Sequence, residues 1–86
     1  MSYSLNFSKR AFKELAKINE PFYTNIKISI TSLTENPRPQ GSRKLKGRDG
    51  YRIRVGDYRI IYDIFDSELV VNIIHLGHRK NIYGNS

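Results

Sequence analysis

Three arginines carry the clearest chemical signal in the chain: Arg52 and Arg54 in Tyr51-Arg52-Ile53-Arg54-Val55, and Arg59 just beyond Gly56-Asp57. Gly-Asp between two alternating runs is a two-residue hairpin turn of the glycine-first kind. Such a turn pairs Val55 with Tyr58, Arg54 with Arg59, Ile53 with Ile60 and Arg52 with Ile61. Like charges directly opposite each other across antiparallel strands cost roughly 0.2–1 kcal/mol. An anion chelated between two guanidinium groups converts that repulsion into attraction, because each offers paired N–H donors to phosphate oxygens. Arg52 lies two residues along the same face and enlarges the cluster. The plainer alternative is an arginine paired with Asp63 on the next rung, or with a more distant carboxylate.

The charge around these residues is concentrated. Fifteen Lys and Arg against eight Asp and Glu leave the chain at +7, and the segment from Arg38 to Arg59 holds eight cations (Arg38, Arg43, Lys44, Lys46, Arg48, Arg52, Arg54, Arg59) against two anions. Such a stretch is either a solvated face or a site for a polyanion, meaning nucleic acid or an acidic protein segment. No cysteine is present, which excludes disulfides, thiolate zinc sites and cysteine nucleophiles. His75 and His78 are too few for a metal site without a carboxylate at ligand spacing, and a structural role suits His75 within a strand; no metal or cofactor is expected. Tyr51, Tyr58 and Tyr62 fall on the face assigned to the core. Tyr83 lies in a polar tail, where its ring either stacks on a nucleobase or folds back over the sheet edge.

The elements that must position these residues follow from periodicity. Tyr3, Leu5 and Phe7 alternate as in a half-buried strand, and Ser8 offers an N-cap to a helix with Phe12, Leu15 and Ala16 at helical spacing, widened by Ala11 and Ile18. Asn19-Glu20-Pro21 breaks it. Phe22, Ile26, Ile30 and Leu33 mark a second helix, so the two form a hairpin, and Asn36-Pro37-Arg38-Pro39-Gln40-Gly41 ends it. After this linker come strands around Tyr51–Val55, Tyr58–Ile64 and Leu69–Leu76, the last two joined by a turn at Asp66-Ser67. The order β-α-α-β-β-β predicts one α+β domain over residues 1–86, with the helical hairpin packed on one face of a twisted, mainly antiparallel four-stranded sheet and the other face open. No apolar run approaches the roughly 20 residues that span a bilayer, and Met1-Ser2-Tyr3-Ser4 does not read as a leader. No membrane association and cytoplasmic residence are expected.

Three stretches together resemble the RelE/ParE toxin superfamily: Lys44-Leu45-Lys46-Gly47, the run from Tyr51 to Tyr62, and the ending Gly77-His78-Arg79-Lys80-Asn81-Ile82-Tyr83. The helices before them match that superfamily's helical hairpin, and the Gly-His-Arg ending with a closing tyrosine is more similar to the RelE branch than to the gyrase-poisoning ParE branch. The resemblance implies the toxin of a type II toxin–antitoxin system, an endoribonuclease that enters the ribosomal A site, cuts mRNA there by attack of a ribose 2′-hydroxyl on the adjacent phosphate, and so inhibits translation. It implies that Arg59 stabilises charge on the scissile phosphate, that Arg79 is a second such arginine, and that Tyr83 stacks on and orients a base. Lys44, Lys46 and Arg43 are assigned to the RNA backbone.

The chain departs from the pattern at Arg52 and Arg54, which stand where some members have lysines, one of them proposed as a general base. Arginine does not readily surrender a proton at neutral pH, so charge stabilisation by clustered guanidinium groups is expected to replace proton shuttling. The implied partners are ribosome and mRNA, a cognate antitoxin with a small acidic C-terminal segment, and operator DNA only through the antitoxin complex. No C-terminal helix of the kind that some members carry is expected after Tyr83, and the resemblance implies that the antitoxin lays a helix or extended segment across the groove this leaves. Two alternatives stand beside this reading: a ParE-like gyrase inhibitor without catalysis, and a non-toxic basic RNA-binding module.

Overall fold

The computed structural model describes residues 2–78. Strand β1 (Ser4–Phe7) leads into helix α1 (Lys9–Ala16), then α2 (Phe22–Ser32), β2 (Arg43–Lys44), β3 (Tyr51–Val55), β4 (Tyr58–Phe65) and β5 (Val70–His78). Five strands stand in the order β1-β5-β4-β3-β2. The expected four-stranded sheet is thus corrected to five, because Arg43 and Lys44 pair with Arg52 and Tyr51 and extend the linker into a short edge strand. All neighbours are antiparallel except β1, which runs parallel to β5.

Both helices cover one face. Ala11 of α1 and Ile26, Ile30 and Leu33 from the second helix and its C-cap meet Ile53, Ile60, Tyr62, Val71, Ile73 and Leu76 in a single core. Helix α1 docks on β5 and β1, whereas α2 docks on β3. The buried stripe of α1 is centred one residue away from expectation. Ala11 is buried with Leu15 and Ile18 beside it, while Phe12 stays 60% exposed and Ala16 is exposed, since a turn of 3.6 residues places them round the flank. Ser8 caps α1 as its spacing predicts, accepting from the Ala11 N–H at 3.0 Å.

The core tyrosines pack as expected. Tyr62 is fully buried, donates to the Pro37 carbonyl at 2.7 Å and stacks on Tyr51 with ring centroids 6.0 Å apart. Burial pushes its phenol pKa up to about 12. Tyr58 sits between Phe22 and His78, each 5.6 Å away. A second tie closes the far end of the sheet. Arg38 clasps both carboxylate oxygens of Asp66 (3.2 and 2.8 Å) and donates from Nε to the Tyr51 hydroxyl, while Tyr3 donates to Asp66 at 2.6 Å. The linker is thereby fastened to the turn between β4 and β5. No helix among the described residues is long and apolar enough to cross a membrane.

Candidate nucleic-acid interface

The hairpin of β3 and β4 adopts the register that its turn chemistry predicts, with Arg54 opposite Arg59 and Arg52 opposite Ile61. Gly56, at φ 59°, supplies the positive backbone angle that the tight turn requires. Side chains alternate across a sheet, so Arg52, Arg54 and Arg59 project away from Ile53, Ile60 and the helices. The short strand β2 then adds a second like-charged pair, because Arg43 lies opposite Arg52. Four arginines from three adjacent strands therefore share the open face.

Neighbouring residues complete this surface. One cross-strand row runs Arg43, Arg52, Ile61, His75, and the next runs Arg54, Arg59, Gly77. Gly77 places no side chain beside Arg59, and a glycine within a strand is a common mark of close approach by a ligand or another backbone. Arg59 is only 8% exposed and is the one buried charged residue among those described. A guanidinium held with little water around it interacts more strongly with an incoming anion than one in bulk solvent. Ile61 is 9% exposed although it stands outside the core cluster. Its lateral neighbours are Arg52 and His75, and arginine stems commonly cover apolar surface in this way. Among the described residues no carboxylate forms an ion pair with Arg43 or Arg52; Asp63 does not take that place.

Not every predicted site residue joins the face. Lys44 pairs with Tyr51 and so projects to the opposite side from Arg43, because successive strand residues alternate. Lys46 is exposed in the loop beyond β2. Arg79 and Tyr83, and the chain end expected to lack a helix, lie outside the described residues. His78 lies on the core side against Tyr58.

A further group joins the open face from the sheet's far side. The pairing of β4 and β5 shifts at Ile61 and Tyr62, so that His75 faces Ile61 while Ile73 faces Tyr62. The shift leaves Ile73 and Leu76 both in the core and turns His75 outward beside the arginines. Its Nδ1 is 2.9 Å from the Glu14 carboxylate, and its Nε2 is 3.3 Å from a guanidinium nitrogen of Arg10. Glu14 also accepts from the Leu76 N–H at 3.0 Å, and Ser8 donates to the Ile74 carbonyl at 2.7 Å. Side chains of α1 and its cap thus satisfy the edge of β5 where β1 has ended. The doublet Ile73-Ile74 interrupts strict alternation and is the sequence mark of this bulge; nothing local marks the pairing of His75 with Glu14.

The family model described as the ParE toxin of the type II toxin–antitoxin system, parDE, matches residues 5–83. The chain belongs to the RelE/ParE toxin superfamily. It is 34% identical over 83 residues to the mRNA interferase toxin RelE of Escherichia coli, covering 93% of this chain and 86% of that one. It is also similar to the RelE of an archaeal RelE–RelB complex from Pyrococcus horikoshii, with a TM-score of 0.81, 30% identity, and coverage of 92% and 97%. The isolated Escherichia coli RelE toxin superposes with a TM-score of 0.80 at 31% identity, covering 98% and 94%. The RelE/ParE fold thus presents, in this chain, arginines from three adjacent strands on its open face.

Proposed function

We propose that this protein is a ribosome-dependent endoribonuclease, the toxin of a type II toxin–antitoxin pair, which cuts mRNA in the ribosomal A site. The observation that carries the proposal is the pair of opposed arginine couples, Arg43 with Arg52 and Arg54 with Arg59, on one open sheet face. A ribose-phosphate chain laid across such a face meets guanidinium groups from three adjacent strands, each able to chelate phosphate oxygens. The curated name of the Escherichia coli relative, an mRNA interferase toxin, supports the same reading.

In the proposed reaction the 2′-hydroxyl attacks the adjacent phosphorus, and negative charge builds on the phosphoryl oxygens. Arg59, poorly hydrated and beside Gly77, stabilises that charge, with Arg52 and Arg54 holding the flanking backbone. Arg79 supplies a second catalytic guanidinium and Tyr83 stacks on a base, roles taken from the resemblance. Arg43, Lys44 and Lys46 grip RNA further along, Lys44 and Lys46 from outside the arginine face. The toxin works in the cytoplasm on translating ribosomes, and a cognate antitoxin with an acidic segment masks the +7 chain and carries the pair to operator DNA.

Primer extension on a translated mRNA tests the reading. Cuts within codons that appear only when ribosomes and the protein are both present support it; intact message refutes it. The ParE description of the matching family model favours one other reading, inhibition of DNA gyrase by binding alone. Trapped, cleaved DNA in a reaction of gyrase with supercoiled plasmid, without mRNA cleavage, selects that one.

A further inference from the structure

The arginine face stabilises charge but accepts no proton, and attack by a 2′-hydroxyl must release one. Imidazole is the side chain whose ordinary titration lies near neutrality, and the β-bulge turns His75 onto this face. His75 stands beside Ile61 and diagonally from Arg59, whose direct partner on β5 is Gly77. Diagonal neighbours on one sheet face stand about 7–8 Å apart, within reach of long side chains and of a nucleotide bridging them.

The ring is held in one orientation. Glu14 is 2.9 Å from Nδ1, so the proton of a neutral imidazole resides on Nδ1 and Nε2 presents its lone pair, the arrangement that a carboxylate imposes on a histidine base. The only described group on Nε2 is Arg10, at 3.3 Å. Arg10 is 63% exposed at its side chain and also reaches Glu14 at 3.4 Å. A guanidinium prefers a phosphate oxygen to an imidazole lone pair, so RNA backbone entering the face draws Arg10 away and uncovers the nitrogen.

Resting on the ribonuclease reading above, we infer that His75 is the proton acceptor of the cleavage, with Glu14 as its positioning residue and Arg10 as a cover that the substrate displaces. His75 Nε2 takes the 2′-hydroxyl proton as the 2′-oxygen bonds to phosphorus and the bond from phosphorus to the 5′-oxygen breaks. The leaving 5′-oxygen takes a proton from water. The products are a 2′,3′-cyclic phosphate and a 5′-hydroxyl, and the imidazolium returns its proton to solvent. The charged groups facing His75 are Glu14 and Arg10 from α1, Arg59 diagonally on β4, and Arg52 in the same row on β3; His78 lies on the other face of β5.

Single-turnover cleavage on programmed ribosomes, followed across pH, tests this with the full-length protein. In His75→Asn the amide nitrogen offers a donor toward Glu14, and circular dichroism checks that the variant is folded. Its cleavage is expected to fall by about 100-fold or more and to lose the rise in rate through the imidazole titration range. His75→Ala is expected to regain rate when free imidazole is added, which a purely structural histidine would not allow. Glu14→Gln is expected to lower kcat with little change in KM, and Arg10→Ala to raise KM while keeping kcat. A folded His75→Asn that cuts within twofold of wild type with the same pH profile overturns the assignment and leaves the ribonuclease reading standing. Wild-type protein that cuts no message overturns both.

Discussion

Arginines at the two ends of this sheet are used in opposite ways. Arg38 is clasped by Asp66, backed by Tyr51 and linked through Asp66 to Tyr3, so its charge is satisfied within the fold. On the open face arginine stands against arginine, 43 opposite 52 and 54 opposite 59. Local charge density counts all five alike. Their geometry separates a clamp, where a cation meets its own carboxylate, from a surface where guanidinium groups of neighbouring strands stand side by side, the surface we propose as the RNA contact. A basic run in a small protein is informative about binding only once it is known which cations the fold has already neutralised.

The largest expected effect breaks the comparison from the face. Arg59→Ala should lower mRNA cleavage by about 10²–10³-fold, the usual consequence of deleting one preorganised donor, and rate at saturating ribosomes measures it. Arg38→Ala in the same assay should leave the rate unchanged. Equal losses for the two variants would erase the distinction between clamp and face.

The next effect concerns RNA affinity. Replacing Lys44 and Lys46 by alanine should weaken RNA binding at every sequence. It should also flatten the slope of log affinity against log salt, by about 0.7 for each phosphate of a single strand that is no longer neutralised. Filter binding at several salt concentrations reads this slope, which stays unchanged if neither lysine meets phosphate.

A smaller effect sharpens the reading of like-charge pairing. Arg43→Thr should stabilise the free protein by roughly 0.2–1 kcal/mol through relief of repulsion against Arg52 across β2 and β3, while cleavage falls. Urea unfolding and cleavage assays together register the trade; a variant both less stable and fully active would show that Arg43 serves the fold.

The smallest effect belongs to the clamp. The hydrogen bonds from Arg38, then from Tyr3, hold the Asp66 carboxyl down at about 2. A depressed carboxyl stabilises the folded state above its unfolded pKa of about 3.9. That contribution is lost as pH falls through about 2. Asp66→Asn should therefore give a shallower loss of Tm between about pH 4 and 2 than wild type. The gap is small, because both partners are about half exposed.

Much of this was legible in the sequence, for reasons that differ by element. Gly56-Asp57 carries its own turn geometry, so the pairing of Arg54 with Arg59 follows from local rules alone. The helices announce themselves through Ser8, Pro21 and apolar periodicity, although Phe12 sits at the flank because an eight-residue helix does not settle where its stripe is centred. Strand β2 was hidden because two cationic residues after a proline-rich linker carry no alternation, and with it the partnership of Arg43 and Arg52. Parallel pairing of β1 with β5 joins the two ends of the described chain, and no local pattern encodes it. The junction of Glu14 with His75 spans 61 residues and depends on a bulge whose only trace is the doublet Ile73-Ile74.

The plugging of β5 by Ser8 and Glu14 has a consequence for life at high concentration. Where β1 stops, bare N–H and C=O groups would template a neighbouring molecule's strand, the first step toward fibrils. Two polar side chains occupy those groups instead, and the outermost strands of the sheet are only four and two residues long, the shorter one doubly cationic. Edge-to-edge pairing is thereby blocked along this stretch of β5, which leaves the open face for the RNA contact proposed above.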